Sequence, residues 1–211
     1  MFLLSNLHSL HFLCVPFRLK DLKEEGKIII ITAPSGAGKT TLVRRLLTLC
    51  PELEFSISAC TRKPRAGEID GQDYYFYSEE KFRHLLEENA FVEWEMVYAG
   101  KYYGTLRSEL QRIWLEHRVP LVDIDVQGSI AIKTHYPKSS LSVFIKPPSI
   151  DVLRERLIKR GTEGLESLEE RISKATYELT FASQFDSVHI NDDLEETTQE
   201  LLKVVKDFLA K

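Results

Sequence analysis

Four consecutive isoleucines running into a loop of small residues constrain this chain more than any other feature. The stretch Ile28-Ile29-Ile30-Ile31-Thr32-Ala33-Pro34-Ser35-Gly36-Ala37-Gly38-Lys39-Thr40-Thr41 reads as strand, loop and helix start. An unbroken apolar run suits a strand buried on both faces, as in a parallel sheet covered by helices, because a one-sided sheet would alternate apolar with polar. The loop then has the parts of a phosphate cradle. Gly36 and Gly38 let backbone N–H groups turn inward, the following helix adds its positive N-terminal end, Lys39 supplies a mobile charge, and the Thr40 hydroxyl suits Mg²⁺. Ala33 stands where the pattern G-x-x-x-x-G-K-[ST] has its first Gly, which requires that its φ stay below zero.

At 211 residues the chain suits one sizeable core with small excursions rather than two full domains. Its 28 Lys and Arg against 32 Asp and Glu give a formal charge of -4, so neither a nucleic-acid partner nor an acidic membrane is indicated, and no obligate protein partner is evident. Cys14, Cys50 and Cys60 fit neither a disulfide framework nor a metal spacing, and the six histidines form no metal-spaced cluster. Residues 1–15 are apolar but lack a preceding basic residue and a following small-residue cleavage site, and they are too short to span a bilayer. Residues 1–25 are expected to be an extension of unknown role, and the compartment to be the cytoplasm.

Further along, helical spacing covers 40–49 and Pro51 ends it. Residues 56–60 alternate as a strand and deliver the loop Thr61-Arg62-Lys63-Pro64-Arg65-Ala66-Gly67-Glu68; an aromatic strand is expected over 73–77, and Ser78 caps a helix over 79–86. Strand patterns follow at 90–98 and 101–105, then a helix at 108–116. A second buried strand is expected over 119–126, closing on Asp123 and Asp125, where carboxylates face a ligand crevice. A third strand is expected over 141–145. Ser149 caps a helix over 150–159, Gly161 and Gly164 flank a linker, and a charged helix spans 168–181. A strand at 187–190 and an amphipathic helix at 194–209 close the chain.

From residue 27 onward the sequence resembles guanylate kinase. The segments that carry the resemblance are Ala-Pro-Ser-Gly-Ala-Gly-Lys-Thr-Thr at 33–41, Thr-Arg-Lys-Pro-Arg-Ala-Gly-Glu at 61–68, Gly-Gln-Asp-Tyr at 71–74, Phe-Val-Glu-Trp at 91–94, Tyr-Tyr-Gly-Thr at 102–105, Asp-Ile-Asp-Val-Gln-Gly at 123–128, Pro-Pro-Ser at 147–149, Arg-Leu-Ile-Lys-Arg-Gly-Thr at 156–162 and Asn-Asp-Asp at 191–193. The resemblance implies an α/β fold for 26–211: a parallel-sheet core over about 26–56, 108–148 and 181–211, a sheet-rich GMP-binding insertion over about 57–107, and a helical lid over about 149–180. The implied reaction is ATP + GMP to ADP + GDP with Mg²⁺.

Residue by residue, the resemblance places ATP on Ala33 to Thr41 and on Asn191. It places GMP on Ser35, Arg62, Arg65, Glu68, Tyr74, Glu93, Tyr103, Thr105, Asp123 and Asp125, and the transferring phosphoryl group against Lys39, Arg62, Arg156, Arg160 and Arg171. The residues themselves agree with parts of this. Arg62 and Arg65 lie three apart across Pro64, a spacing that can bring two guanidinium forks to one phosphate. Glu93 interrupts an apolar strand, where an unpaired carboxylate is costly and a guanine edge offers it two donors. Arg156 and Arg160 share a helical face, with Arg171 on the next helix. The individual roles of Asp123 and Asp125 stay open at this point. Two rivals remain: a non-catalytic guanylate-kinase-like binding module, against which Lys39, Thr40 and the arginines speak, and a kinase of another phosphorylated small molecule, which has no use for Glu93.

Overall fold

A computed structural model describes residues 26–98, 100–159 and 165–211. The 1–25 extension, Arg160 and the glycines of the 161–164 linker lie outside the described residues. β1 (Ile28–Thr32) forms where expected, and Ile28 to Ile31 are all fully buried. It is the middle strand of a five-stranded sheet of order β2-β7-β1-β8-β9, formed with β2 (Leu53–Phe55), β7 (Val119–Asp123), β8 (Ser140–Lys146) and β9 (Ser187–Ile190). Every pairing in it is parallel. Side chains alternate across β1. Ile29 and Ile31 pack under α1 (Lys39–Leu49) and the closing helix α7 (Leu194–Leu209), whereas Ile28 and Ile30 pack under α3 (Arg107–Leu115) and α4 (Val126–His135).

The insertion is a second sheet of order β4-β3-β6-β5, built from β3 (Ala59–Cys60), β4 (Tyr75–Phe76), β5 (Phe91–Tyr98) and β6 (Lys101–Leu106). It has a small core of its own, Phe82 of α2 (Glu79–Glu87) stacked between Phe91 and Tyr102. The Ser78 hydroxyl caps α2 by accepting from the Lys81 N–H at 3.1 Å. The third unit is the helix pair α5 (Ile150–Lys159) and α6 (Leu165–Leu179), joined by Leu153, Leu157, Ile172 and Ala175.

Three expected strands differ in extent from the structure, and two elements were not expected. The strand expected over 56–60 is reduced to Ala59–Cys60, because the Ser56 N–H is already bonded to Leu121 and the Ile57 N–H to a side chain, Glu109. The strand expected over 73–77 shrinks to Tyr75–Phe76, since the Asp70 and Asp73 carboxylates take the N–H groups of Phe76 and Ile69 at 2.8 Å each and hold the flanks as turns. β2 and α4 were not expected. The strand expected to run to 126 stops at Asp123, and Asp125 instead caps α4 by accepting from the Gly128 N–H at 2.9 Å.

The loop between β1 and α1 leaves the sheet at its switch point, where the chain's connections diverge to either side of β1. Gly36 and Gly38 hold φ of 91° and 98°, and the only non-glycine residues with positive φ among those described are Asn89 and His117, so Ala33 keeps φ below zero as required. Behind the loop the buried Asn191 amide donates to the Ala37 carbonyl at 2.7 Å. A Cβ on Gly38 would lie 2.2 Å from the Asn191 amide nitrogen. Gly38→Ala therefore combines a left-handed backbone with a collision, and is expected to cost about 2 kcal/mol or more and to lower the melting temperature by about 4 °C or more; thermal denaturation monitored by circular dichroism checks it.

Candidate active site

The carboxyl end of β7, the start of α1, the inner face of β5 and β6, and α6 line a cleft of about 270 Å³. Lys39, Asp123, Ile124 and Asp125 line its core side; Ser58, Tyr74, Glu93, Glu95, Tyr103 and Gly104 line the insertion side; Lys174 closes it from α6. The topology brings these together because β7 ends at Asp123, beside Ile31 in register, so its last residues reach the level of the phosphate loop.

On the core side, Lys39 stands at the first position of α1 and pairs with Asp123, while its ammonium also donates to the Ile124 carbonyl at 3.1 Å. Ser35, Thr40 and Thr41 are exposed at the loop and first helical turn; Pro34 and Ala37 are buried beneath. α5 packs straight onto this loop, since a Cβ on Gly36 would meet Leu153 at 2.9 Å. Arg156 does not point freely into the cleft. Its guanidinium donates to the Asn191 carbonyl at 3.0 Å, so Asn191 joins the loop through its side chain to α5 through its backbone. Arg171 lies on α6, half-buried.

On the insertion side, Arg62 and Arg65 do not converge. Both Arg62 nitrogens fork onto Glu68, at 2.5 and 2.7 Å, and its guanidinium lies over the rings of Tyr74 and Phe76 at 4.7 and 5.4 Å. Arg65 is exposed and only its backbone N–H reaches Glu68, at 2.7 Å. The reason is electrostatic: a carboxylate six residues on offers Arg62 a bidentate partner within its own loop. That fork, with the Arg65 N–H behind it, holds the Glu68 carboxyl down at about 2. Tyr74 and Tyr103 meet edge to face at 6.1 Å beside it, and burial raises the Tyr74 hydroxyl.

Glu93 and Thr105 are paired across β5 and β6, and the buried Thr105 hydroxyl donates to Glu93 at 2.6 Å. Burial pushes the Glu93 carboxyl up to about 7, with Asp125 adding to the shift and the Thr105 hydroxyl opposing it. Glu95 was not singled out from sequence. It faces Asp125, its Oε2 is buried without a donor among the described residues, and the contact with Asp125 followed by burial raises it to about 7. The available signal was period two: residues 93 and 95 of one strand share a face. Glu178 of α6, raised by burial, closes this acidic wall, with Lys174 one turn before it. The cleft thus pairs cations near the phosphate loop with carboxyls raised above their ordinary values on the opposite wall, an arrangement suited to holding phosphates at one end and a donor-rich ring at the other.

Comparisons with known proteins agree with this geometry. The family model described as guanylate kinase matches residues 25–208. A guanylate kinase of Porphyromonas gingivalis is 48% identical over 88% of this chain and 99% of its own length, and one of Bacteroides thetaiotaomicron is 48% identical over 92% and 95%. Among solved structures, a guanylate kinase of Anaplasma phagocytophilum superposes with a TM-score of 0.68 at 28% identity, over 86% of this chain and 85% of that one. A strand, loop and helix in register with the phosphate-loop pattern, a second sheet carrying Glu93 and Thr105, and matches along nearly the whole length leave one conclusion: the chain belongs to the guanylate kinase family.

Proposed function

We propose that the chain transfers the γ-phosphoryl group of ATP to GMP in the cleft between the phosphate loop and the insertion, with the family's division of labour carried by its own residues. The observation that carries this reading is the half-buried Glu93 carboxyl, held by the buried Thr105 in a cleft that Lys39 also lines. Guanine presents N1–H and N2–H₂ side by side, which one carboxylate accepts as a pair; adenine would leave Glu93 desolvated and unpartnered. Ser35, Arg65, Tyr74 and Tyr103, with Arg62 swung off Glu68, would take the GMP phosphate. Asp123 and Asp125 would complete the acceptor side, and Asp125 already orders α4.

For ATP, the 33–41 loop supplies backbone N–H groups, those of Gly36, Gly38 and Lys39 among them, and the positive end of α1 would face the β- and γ-phosphates. The phosphate oxygen of GMP attacks the γ-phosphorus in line, the bond to the ADP oxygen breaks, and Lys39 follows the charge it leaves. Arg156, Arg160 and Arg171 would close with the helix pair to neutralise the equatorial oxygens, Arg156 leaving the Asn191 carbonyl as it does, while the Asn191 side chain keeps its hold on the loop. The reading includes Mg²⁺. Among the described residues no group of three acidic, His or Cys side chains could hold a metal alone, so the fit is to an ion that arrives with nucleotide phosphates and takes the exposed Thr40 hydroxyl as an added oxygen ligand. Held there by Thr40, such an ion would supply positive charge against the β- and γ-phosphates. No helix among the described residues is long and apolar enough to cross a membrane, and supply of both nucleotides favours the cytoplasm as the site of reaction.

The direct test offers the protein ATP and Mg²⁺ with GMP, dGMP, AMP, UMP and CMP in turn and follows ADP release; ADP release with AMP equal to that with GMP would refute the assignment. Lys39→Ala is expected to lower kcat by about 10²-fold or more while circular dichroism stays unchanged, because the lost charge acts chiefly on the transition state. Ionisation of Glu93 gives a second expectation. Only the charged form offers both oxygens as acceptors to the guanine pair, and in the free protein that form is lost as pH falls through about 7. KM for GMP should therefore fall roughly tenfold from pH 6 to pH 8 with KM for ATP nearly flat. Glu93→Gln should raise KM for GMP and remove that part of the pH dependence, and a dependence identical in the variant would assign it to another group.

A further inference from the structure

Glu109 of α3 is a carboxylate that the reaction above does not use, yet it is only 3% exposed. Burying a charge at that depth is costly unless donors surround it. Four do: the Ile57 N–H at 3.1 Å and Arg112 Nη2 at 3.0 Å on Oε1, and the Tyr75 hydroxyl at 2.9 Å and Arg112 Nε at 3.1 Å on Oε2. Burial alone would raise this carboxyl, and these donors more than offset it, holding it below its ordinary value.

The positions of the donors matter more than their number. The chain leaves the core sheet after β2 and returns to it through β6 and α3, so the insertion is hung on the core by segments around 57 and 107. Ile57 lies on the outgoing segment, Glu109 in the first turn of the returning helix, and Tyr75 inside the insertion on β4, which pairs with β3 and through it with β6. Arg112 extends the group to the edge strand of the core, reaching Glu54 of β2 at 2.7 Å. One carboxylate thus bonds both crossings and the sheet they carry. Tyr75 is next to Tyr74, over whose ring Arg62 rests, so a rotation about this pivot moves the acceptor-phosphate end of the cleft relative to Lys39.

We infer that Glu109 is a positioning residue for phosphoryl transfer, setting the angle at which the insertion presents the acceptor phosphate to the phosphate loop. The inference rests on the reading that the insertion holds GMP. In-line transfer is sensitive to placement: an error of about 1 Å far from the chemistry can cost on the order of 10²-fold. Loss of the Tyr75 link should act on alignment in the transition state and leave ATP binding, which lies on the core, untouched.

The experiment measures steady-state constants for both substrates, with melting temperatures, for the wild type, Tyr75→Phe, Glu109→Gln and the double variant. Tyr75→Phe deletes one hydroxyl from a half-buried ring and keeps the measurement decisive should Glu109→Gln fold poorly. The expected result is a kcat lowered tenfold or more in each single variant, KM for ATP within twofold of wild type, and a double variant no slower than the slower single one, because both changes cut the same link. A kcat equal to wild type in Tyr75→Phe, or a lowered melting temperature with kcat intact in both, would make Glu109 a structural brace and overturn the inference. Multiplying losses in the double variant would overturn it too. A wild type that releases no ADP with GMP would bring down the GMP reading itself, and this inference with it.

Discussion

Burial of β1 on both faces is the constraint from which the rest of the molecule follows. Four isoleucines without solvent exposure require helices above and below, and only a parallel sheet with crossover connections supplies them. That topology places the loop after β1 at the carboxyl edge, where strand ends and helix starts converge. Neighbouring parts are then dictated by proximity: the acidic end of β7 beside Lys39, the cap of α4 beside β5, and Asn191 beneath the loop.

Two cations of the site are paired with carboxylates of the chain itself. Lys39 rests on Asp123 and Arg62 on Glu68, so under the proposed function a phosphate would compete with the carboxylates that hold these cations. This keeps buried or half-buried charges from being left alone, which would cost more than any surface pair returns. It also gives selectivity, since a phosphate dianion outcompetes a carboxylate for a guanidinium fork more readily than a neutral or singly charged group does. On the opposite wall the balance is reached by protons instead of cations. Burial and then Asp125 raise Glu93, Asp125 and then burial raise Glu95, and under the proposed function a ring with its own N–H donors would take the place of those protons.

The helix pair α5 and α6 differs from the two sheets in how it is attached. Its core is internal, Leu153 and Leu157 against Ile172 and Ala175, and its described anchors on the loop are the contact at Gly36 and the Arg156 bond to Asn191. Few contacts at one edge and a packed interior are what a segment needs to move as a body.

Much of this was readable without coordinates. The Ile28 to Thr41 stretch determined the central strand, the phosphate loop and the sheet type, because a continuous apolar run and a glycine-lysine-threonine turn each allow few structures. Ser78, Ser149 and the span of α7 were legible for the same local reason: caps and helical periodicity are written in neighbouring residues. Tertiary structure alone decided what depended on residues distant in sequence. β2 is too short to show a period, and α4 carries Gly128 in its first turn and no amphipathic stripe, so neither announces itself before the core packs around it. Arg62 chose Glu68 over a shared site with Arg65, Glu95 met Asp125, and Glu109 gathered donors from three segments. Spacing along a chain reports which side chains share a strand or helix face; which charge finds which partner across the fold is settled only when burial removes water as the alternative.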